Sequence, residues 1–364
     1  MWHDTAFTRR FDRRYPIVQG PFGGGLSSPR LAATVSDAGG LGSFGAQGMT
    51  PDRIRAVVAD IRALTAAPFA VNLWVSTADA QAAEVSRADH DAALATLAPF
   101  FAELGVAPPS FAPAAGPDFE EQADALIEAR PPVFSFIFGV PSPAILDRCR
   151  SLGIRTIGTA TTVGEARALD AAGVDAIVAT GAEAGGHRPS FLRSAEVSLT
   201  GTFALVPQVA DAVRVPILAA GGIADGRGVA AALALGAHAV QIGTAFLACD
   251  ESNAPPAHRD ALRHAAQGPP TVLTRGFSGR LGRGIRNSLA EAFEQPSAAR
   301  LPYPFQGHLV GVLKQAALAQ SRPDLVPFWS GQSAPLIRHT AASKLFDSLV
   351  QEAGQVSADR HRST

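Results

Sequence analysis

Cysteine is scarce in this 364-residue chain: Cys149 and Cys249 are the only two, with no CxxC spacing and no histidine-rich setting. That excludes a disulfide scaffold and a thiolate metal site, and leaves two ordinary thiols that fit a reducing compartment, with a single disulfide as the open alternative. Charge of one sign is also lacking. Against 31 Lys and Arg stand 32 Asp and Glu, a formal net charge of −1, so neither a nucleic-acid-binding surface nor a disordered acidic tail is expected. No apolar run approaches the roughly 20 residues of a membrane-spanning helix. The first residues, Met1-Trp2-His3-Asp4-Thr5, carry charge but no apolar signal core, and a cytoplasmic protein is expected. The nine histidines are scattered, none paired at metal-ligand spacing with a strand-end carboxylate, so no metal is expected. A G-x-G-x-x-G fingerprint between strand and helix is missing, and so is any tandem repeat longer than one strand and its helix.

What is present is apolar and periodic. Hydrophobic residues make up 47% of the chain. Eight strand-like runs alternate with alanine-rich segments of helical spacing: Ile17 to Pro21, Leu41 to Gly45, Phe69 to Val75, Val133 to Phe138, Thr156 to Ala160, Ala176 to Thr180, Pro216 to Ala220 and Ala239 to Thr244. That order predicts α/β architecture, one (β/α)8 TIM barrel, and 364 residues suit one elaborated barrel better than two average domains. Thr50-Pro51-Asp52, Ser142-Pro143 and Thr162 with Glu165 read as helix starts. The rhythm breaks twice. Between Ser76 and Arg130 lie two helical stretches and a proline-rich run, Ala107 to Pro113, predicting a helical insertion after the third strand that lies over the barrel mouth. From about residue 251 to 364 the chain reads as a C-terminal helical extension covering the mouth, with helices near Val312 to Gln320 and Ser343 to Gln351 and a frayed polar end from about Gln355. The barrel proper is then expected over 1–250.

Two features carry chemistry. Val178 to His187 runs from an apolar strand through Gly185 and Gly186 to one histidine. A backbone without side chains there would let a planar ring approach, with His187 beside it to move a proton. Downstream, Pro216 to Gly226 and Gly236 to Phe246 are buried strands ending in glycine turns one helix apart. The loops after strands seven and eight of such a barrel form its usual phosphate site, with Gly222 and Gly243 as close-approach points and Thr244 offering a hydroxyl and an N–H. A small molecule is the expected partner, and neither nucleic acid nor a membrane is; a homo-oligomer stays open.

Taken together, Gln19-Gly20-Pro21, Asn72-Leu73-Trp74, Gly181 to His187, Ala220-Gly221-Gly222-Ile223, Gly243-Thr244 and Thr274 to Arg280, followed by Arg283, Arg286 and Asn287, resemble the nitronate monooxygenase family, historically the 2-nitropropane dioxygenases. The resemblance covers nearly the whole chain. It implies bound FMN and the oxidation of alkyl nitronates by O2 to a carbonyl compound and nitrite. It also implies roles. His187 resembles the general base or substrate-orienting residue. Asn72 resembles the asparagine at the flavin ring, Gln19, Gly20, Pro21 and Phe22 would line one side of that ring, and Thr180, Gly181, Gly185, Gly186, Ala220, Gly221, Gly222, Gly243 and Thr244 would be further FMN contacts.

Three departures bear on the substrate side: Thr180 stands where many such monooxygenases carry glutamine, Phe22 replaces a common methionine, and Arg188-Pro189-Ser190-Phe191 follows the histidine. They leave flavin binding intact and nitronate specificity open. The alternative is an NAD(P)H-dependent flavin reductase of enoyl thioesters or quinones, because the flavin-type enoyl-acyl-carrier-protein reductases resemble the same blocks. A barrel that binds FMN without turnover is the non-enzymatic reading. Arg280 stays undecided between a solvated loop charge and a site residue.

Overall fold

The computed structural model describes residues 1–112 and 117–362, so Pro113 of the proline-rich run lies outside the described residues. Among the described residues eleven strands occur in chain order: β1 Ile17–Gln19, β2 Gly42–Gly45, β3 Phe69–Trp74, β4 Val133–Ile137, β5 Arg155–Ala160, β6 Ala176–Thr180, β7 Gly186–His187, β8 Ile217–Ala220, β9 Ala239–Ile242, β10 Thr271–Thr274 and β11 Gly282–Ile285. Eight of them form one parallel sheet in the order β1, β9, β8, β6, β5, β4, β3, β2, and a parallel bridge from Val18 to Leu41 joins its two edges. The sheet is therefore a (β/α)8 barrel, and its strands are the eight runs legible in the sequence. The remaining β7, β10 and β11 make a separate antiparallel ribbon, β10-β11-β7.

Alternation along each strand builds two cores. Residues facing the helices, such as Phe69, Val71 and Leu73 in β3 or Ile177 and Ala179 in β6, join the main cluster. Their neighbours point inward: Val18, Ala70, Val133, Ile157, Ala176, Val178 and Leu218 pack with Phe7 and Phe11 of the N-terminal helix Ala6–Phe11. The two phenylalanine rings stack 4.6 Å apart. Arg10 of the same helix bonds the backbone carbonyl of Asp175, just before β6, so the helix plugs the N-terminal end of the barrel and leaves the opposite end for a site.

The expected caps form. Thr50 and Thr162 accept bonds from the N–H of Arg53 and Glu165, with Pro51 in the first turn of its helix; Pro143 likewise follows Ser142, which makes no side-chain cap bond. The segment after β3 holds a short 3₁₀ turn, Ala80–Glu84, and the helix Arg87–Glu103. The next helix, Phe119–Ala129, packs along Pro51–Leu64 and belongs to the outer ring. Ala93, Leu97 and Phe101 of Arg87–Glu103 share a second hydrophobic cluster with Phe277, Leu289, Leu309, Leu313 and Phe328. Two segments far apart in sequence thus build one cap.

The C-terminal helix Ala342–Arg362 does not lie over the mouth. It packs between Gly226–Ala234 and Pro29–Asp37, closing the ring as the barrel's eighth helix. The expected frayed end is continuous helix through residue 362, and the last two residues lie outside the described ones. Both cysteines are buried and free, so no disulfide joins them. Among the described residues no helix is long and apolar enough to cross a membrane, and no cluster of three metal-ligating side chains exists.

Candidate active site

A cavity of about 420 Å³ opens at the C-terminal end of the barrel. Strand ends supply its floor: Asn72 and Trp74, Ser135 and Ile137, Thr159, Val178 and Thr180, Ala220, and Gln241. The loops after β1, β6, β8 and β9 add Gly20, Pro21 and Phe22, then Gly185, Gly186 and His187, then Gly221 and Gly222, then Gly243 and Thr244. Nearly every residue singled out in the sequence therefore meets here.

Two do not. Gln19 is fully buried, its carboxamide accepting from the Ser43 N–H at 2.9 Å and donating to the Gly20 carbonyl, so it holds the β1 end and does not reach the cavity. Gly181 is also outside the lining: its N–H is donated to Ala220 at 2.8 Å, and a Cβ there would strike Thr202 and Glu183. Its lack of a side chain serves packing. The same holds for Gly185, where a Cβ would stand 2.5 Å from the Gly331 nitrogen, although Gly185 itself borders the cavity. Gly186 differs, with φ +78° and nothing within 4 Å of a Cβ.

The glycine turns after β8 and β9 are open toward the cavity. Gly222 has φ +74° and an added Cβ would find nothing nearer than Glu183 at 3.7 Å; at Gly243 the nearest atom is a Phe22 ring carbon at 3.9 Å. Among the described residues neither glycine's N–H has an acceptor within the protein. Thr244 receives the Gly331 N–H on its hydroxyl oxygen at 2.9 Å, which leaves its own hydrogen free to donate.

His187 stands on β7, held by antiparallel pairing of Gly186 and His187 with Arg283 and Gly282 of β11, and is not on a free surface loop. Charged side chains anchor the segments on either side. The Glu183 carboxylate accepts the Thr202 N–H and hydroxyl at 2.9–3.0 Å. Glu165, fully buried, accepts the N–H groups of Thr161, Phe191 and Leu192. The Arg188 side chain, 1% exposed, donates to the carbonyls of Thr180, Gly181 and Ser198. The departure after the histidine is thus a structural clamp. Burial lowers the Arg188 pKa to about 10.

The imidazole faces Trp74 at 5.1 Å, Trp329 at 4.7 Å, Phe138 at 6.3 Å and Tyr303 at 6.4 Å between ring centroids, and its Nε2 lies 2.7 Å from the Ser278 hydroxyl. Burial, and then the Arg280 charge, push its pKa down to about 3, so the ring is neutral. Arg280 is no solvated loop charge. It is 6% exposed, pairs with Asp79 at 2.7 Å, bonds the Ser76 carbonyl and hydroxyl, and stacks over Phe138 at 4.1 Å and Tyr303 at 4.5 Å. Asn72 donates to the Ser135 hydroxyl at 3.0 Å, which fixes its carboxamide at the floor.

The sequence reading missed Tyr303, Trp329 and Lys314, all of which line the cavity. Their one signal was rarity: they are one of two tyrosines, one of three tryptophans and one of two lysines. Lys314 sits on the helix Phe305–Ala319 with Gly307, Val310 and Gly311, and has no carboxylate partner among the described residues. Burial lowers its pKa.

The model of the nitronate monooxygenase family matches residues 5–352. A protein described as a probable nitronate monooxygenase from Staphylococcus aureus is 37% identical over 358 residues, spanning 98% of this chain and 99% of its own. Among solved structures, nitroalkane oxidase from Streptomyces ansochromogenes is 37% identical with a TM-score of 0.87, covering 98% of this chain and 99% of that one. FabK from Thermotoga maritima, at 29% identity and a TM-score of 0.74 with 99% of both chains covered, is a more distant likeness. The fold, the site at the barrel mouth and these full-length matches agree: the chain belongs to the nitronate monooxygenase family.

Proposed function

We propose that the chain binds FMN in this cavity and oxidises alkyl nitronates with O2 to a carbonyl compound and nitrite. The residues present fit that cofactor. Gly222 and Gly243 leave N–H groups and open space where a phosphate needs them, Thr244 adds a hydroxyl, and Gly221 completes the turn. Gly20, Pro21, Phe22, Asn72, Thr180, Gly186 and Ala220 form the part of the wall that would take the flat ring. When bound, FMN supplies the electron-accepting chemistry that no side chain of this protein can perform.

The protein's own residues bind, orient and exclude water. Trp74, Phe277, Tyr303 and Trp329 make an apolar chamber in which hydrogen bonds to a small anion gain strength. His187, neutral and held at Nε2, presents an oriented polar group to that chamber. The observation that carries the nitronate reading is Lys314, a half-buried cation without a carboxylate partner among the described residues, facing the same space. A nitronate is a small anion and matches it. Oxygen uptake coupled to stoichiometric nitrite release from an alkyl nitronate tests this directly; FMN-loaded protein that forms no nitrite would reject it.

The 29% identity to FabK over the full chain favours, as second reading, an NAD(P)H-dependent flavin reductase in the same pocket. Two buried free thiols support a cytoplasmic setting.

A further inference from the structure

We propose that Gly307 and Gly311 determine substrate specificity: they clear one face of the helix Phe305–Ala319 for the hydrocarbon chain of the substrate, so that the preferred nitronates are unbranched and several carbons long. The inference rests on the nitronate reading of the cavity and names which nitronates it takes.

The helix has two unlike faces. Phe305, Leu309, Leu313 and Ala317 are buried in the hydrophobic cluster of the cap, whereas Gly307, Val310, Gly311 and Lys314, spaced i, i+3, i+4 and i+7, fall on the other side and line the cavity. Glycine inside a helix is destabilising relative to alanine, because it gives up more backbone freedom on folding. Neither glycine has a backbone reason to be there, since both lie in regular helix outside the left-handed region. Neither has a packing reason. A Cβ at Gly311 would meet nothing within 4 Å, and one at Gly307 would meet only the Ser278 backbone at 3.9 Å. Glycines elsewhere in the cap do answer to close neighbours: a Cβ at Gly276 would stand 2.3 Å from the Phe293 ring, and one at Gly284 2.7 Å from the Phe328 carbonyl oxygen. At 307 and 311 the missing side chains leave open cavity, and the occupant of that space is the ligand.

The shape of the cleared strip selects its occupant. From residue 307 to 311 the helix rises about 6 Å, the span of about five bonds of an extended chain with C–C bonds of about 1.5 Å and angles near 111°. The strip is one side chain wide with Val310 projecting beside it, so a linear chain fits and a branched one does not. Phe277, Pro327 and Trp329 add apolar wall to the same cavity. Gly307 adjoins Ser278, whose hydroxyl lies 2.7 Å from His187 Nε2, and Lys314 follows Gly311 on the next turn. A chain laid along the strip therefore spans the aromatic chamber and the cation without leaving the cavity.

The test compares FMN-loaded wild type with FMN-loaded Gly311→Leu in two series. The primary nitronates of nitroethane, 1-nitrobutane and 1-nitrohexane give kcat/KM from nitrite release, and acetate, butanoate and hexanoate, as inert anions, give Kd from perturbation of the visible flavin band. In the wild type both series should improve by about fourfold per methylene, the gain from moving one CH2 out of water into an apolar site. Gly311→Leu should keep FMN and lower the six-carbon to two-carbon ratio by about tenfold or more in both series. Gly311→Ala should unfold at a higher temperature than wild type, because the fold does not need the glycine. Wild-type series that are flat in chain length, an unaltered ratio in Gly311→Leu, or a Gly311→Ala variant less stable than wild type would overturn the proposal. Loss of FMN from Gly311→Leu would give the strip to the cofactor and overturn it as well. If Gly311→Leu does not fold, the wild-type series and Gly311→Ala decide. Carboxylate binding that depends on chain length, with no nitrite from any nitronate, would leave the strip standing and remove the nitronate reading.

Discussion

Arg280 Nε lies 2.7 Å from Asp79 Oδ1, and this pair ties the strand ribbon beneath His187 to the segment that follows β3. Its side chains are 7% and 21% exposed, and Asp79 also accepts the Tyr303 N–H, so three remote parts of the chain meet at one carboxylate. Asp79→Ala would leave the buried guanidinium unpaired. The expected loss is about 2 kcal/mol, below the roughly 3–5 kcal/mol of a fully buried pair because Asp79 is part-solvated. Thermal unfolding against wild type reads it, and an unchanged Tm would remove the pair from the cap's stability.

The same guanidinium helps keep His187 neutral. Arg280→Met should move the His187 pKa upward from about 3, since the remaining cause is burial alone. NMR titration of the labelled histidine gives the direction; a downward shift would mean that the charge reaches His187 differently.

Stability should fall with acid in a defined window. His187 and His258 have native pKa values lowered to about 3 and about 4 by burial, against 6.5 for an unfolded histidine. Below pH 6.5 the unfolded chain binds the extra protons, so stability declines as pH drops from about 6.5 to 3, by up to about 1.4 kcal/mol per pH unit for each group. His258 donates through Nε2 to the Trp329 carbonyl at 2.8 Å, a bond that glutamine can replace. His258→Gln should therefore flatten the slope measured by urea unfolding between pH 4 and 6, and an identical slope would contradict the lowered pKa.

Cofactor and histidine are separable. Gly243→Leu should fold, because a Cβ there has room, yet lose bound FMN as the longer side chain enters the cavity. Retained stoichiometric FMN would move the phosphate elsewhere. His187→Ala should keep FMN and lose about a hundredfold in turnover, while His187→Gln, which can donate but not ionise, should recover part of it. Equal loss in both variants would argue for proton transfer.

The barrel was legible because parallel strands buried on both sides are continuous apolar runs, and the observed strands begin within a residue or two of the expected positions, as at Arg155–Ala160. Most of the cavity floor followed, since strand ends and glycine turns mark it. What stayed hidden depends on long-range contact. His187 pairs with Gly282 in β11, far along the chain, and nothing near either residue announces that pairing. Gly185 is a glycine because Gly331 approaches it, and Gln19 turns toward Ser43. The helix Ala342–Arg362 read as an appendage because the 99 residues 243–341 separate it from β9; its contacts with Gly226–Ala234 make it part of the ring.

The reading of the cavity as a nitronate site is tested most directly by mixing the FMN-loaded protein anaerobically with an alkyl nitronate and, separately, with NADH or NADPH, while following the visible flavin band. Loss of the band with the nitronate and none with either nicotinamide is the predicted result. Rapid, complete bleaching by NAD(P)H with no response to nitronate would contradict it and make this barrel a reductase.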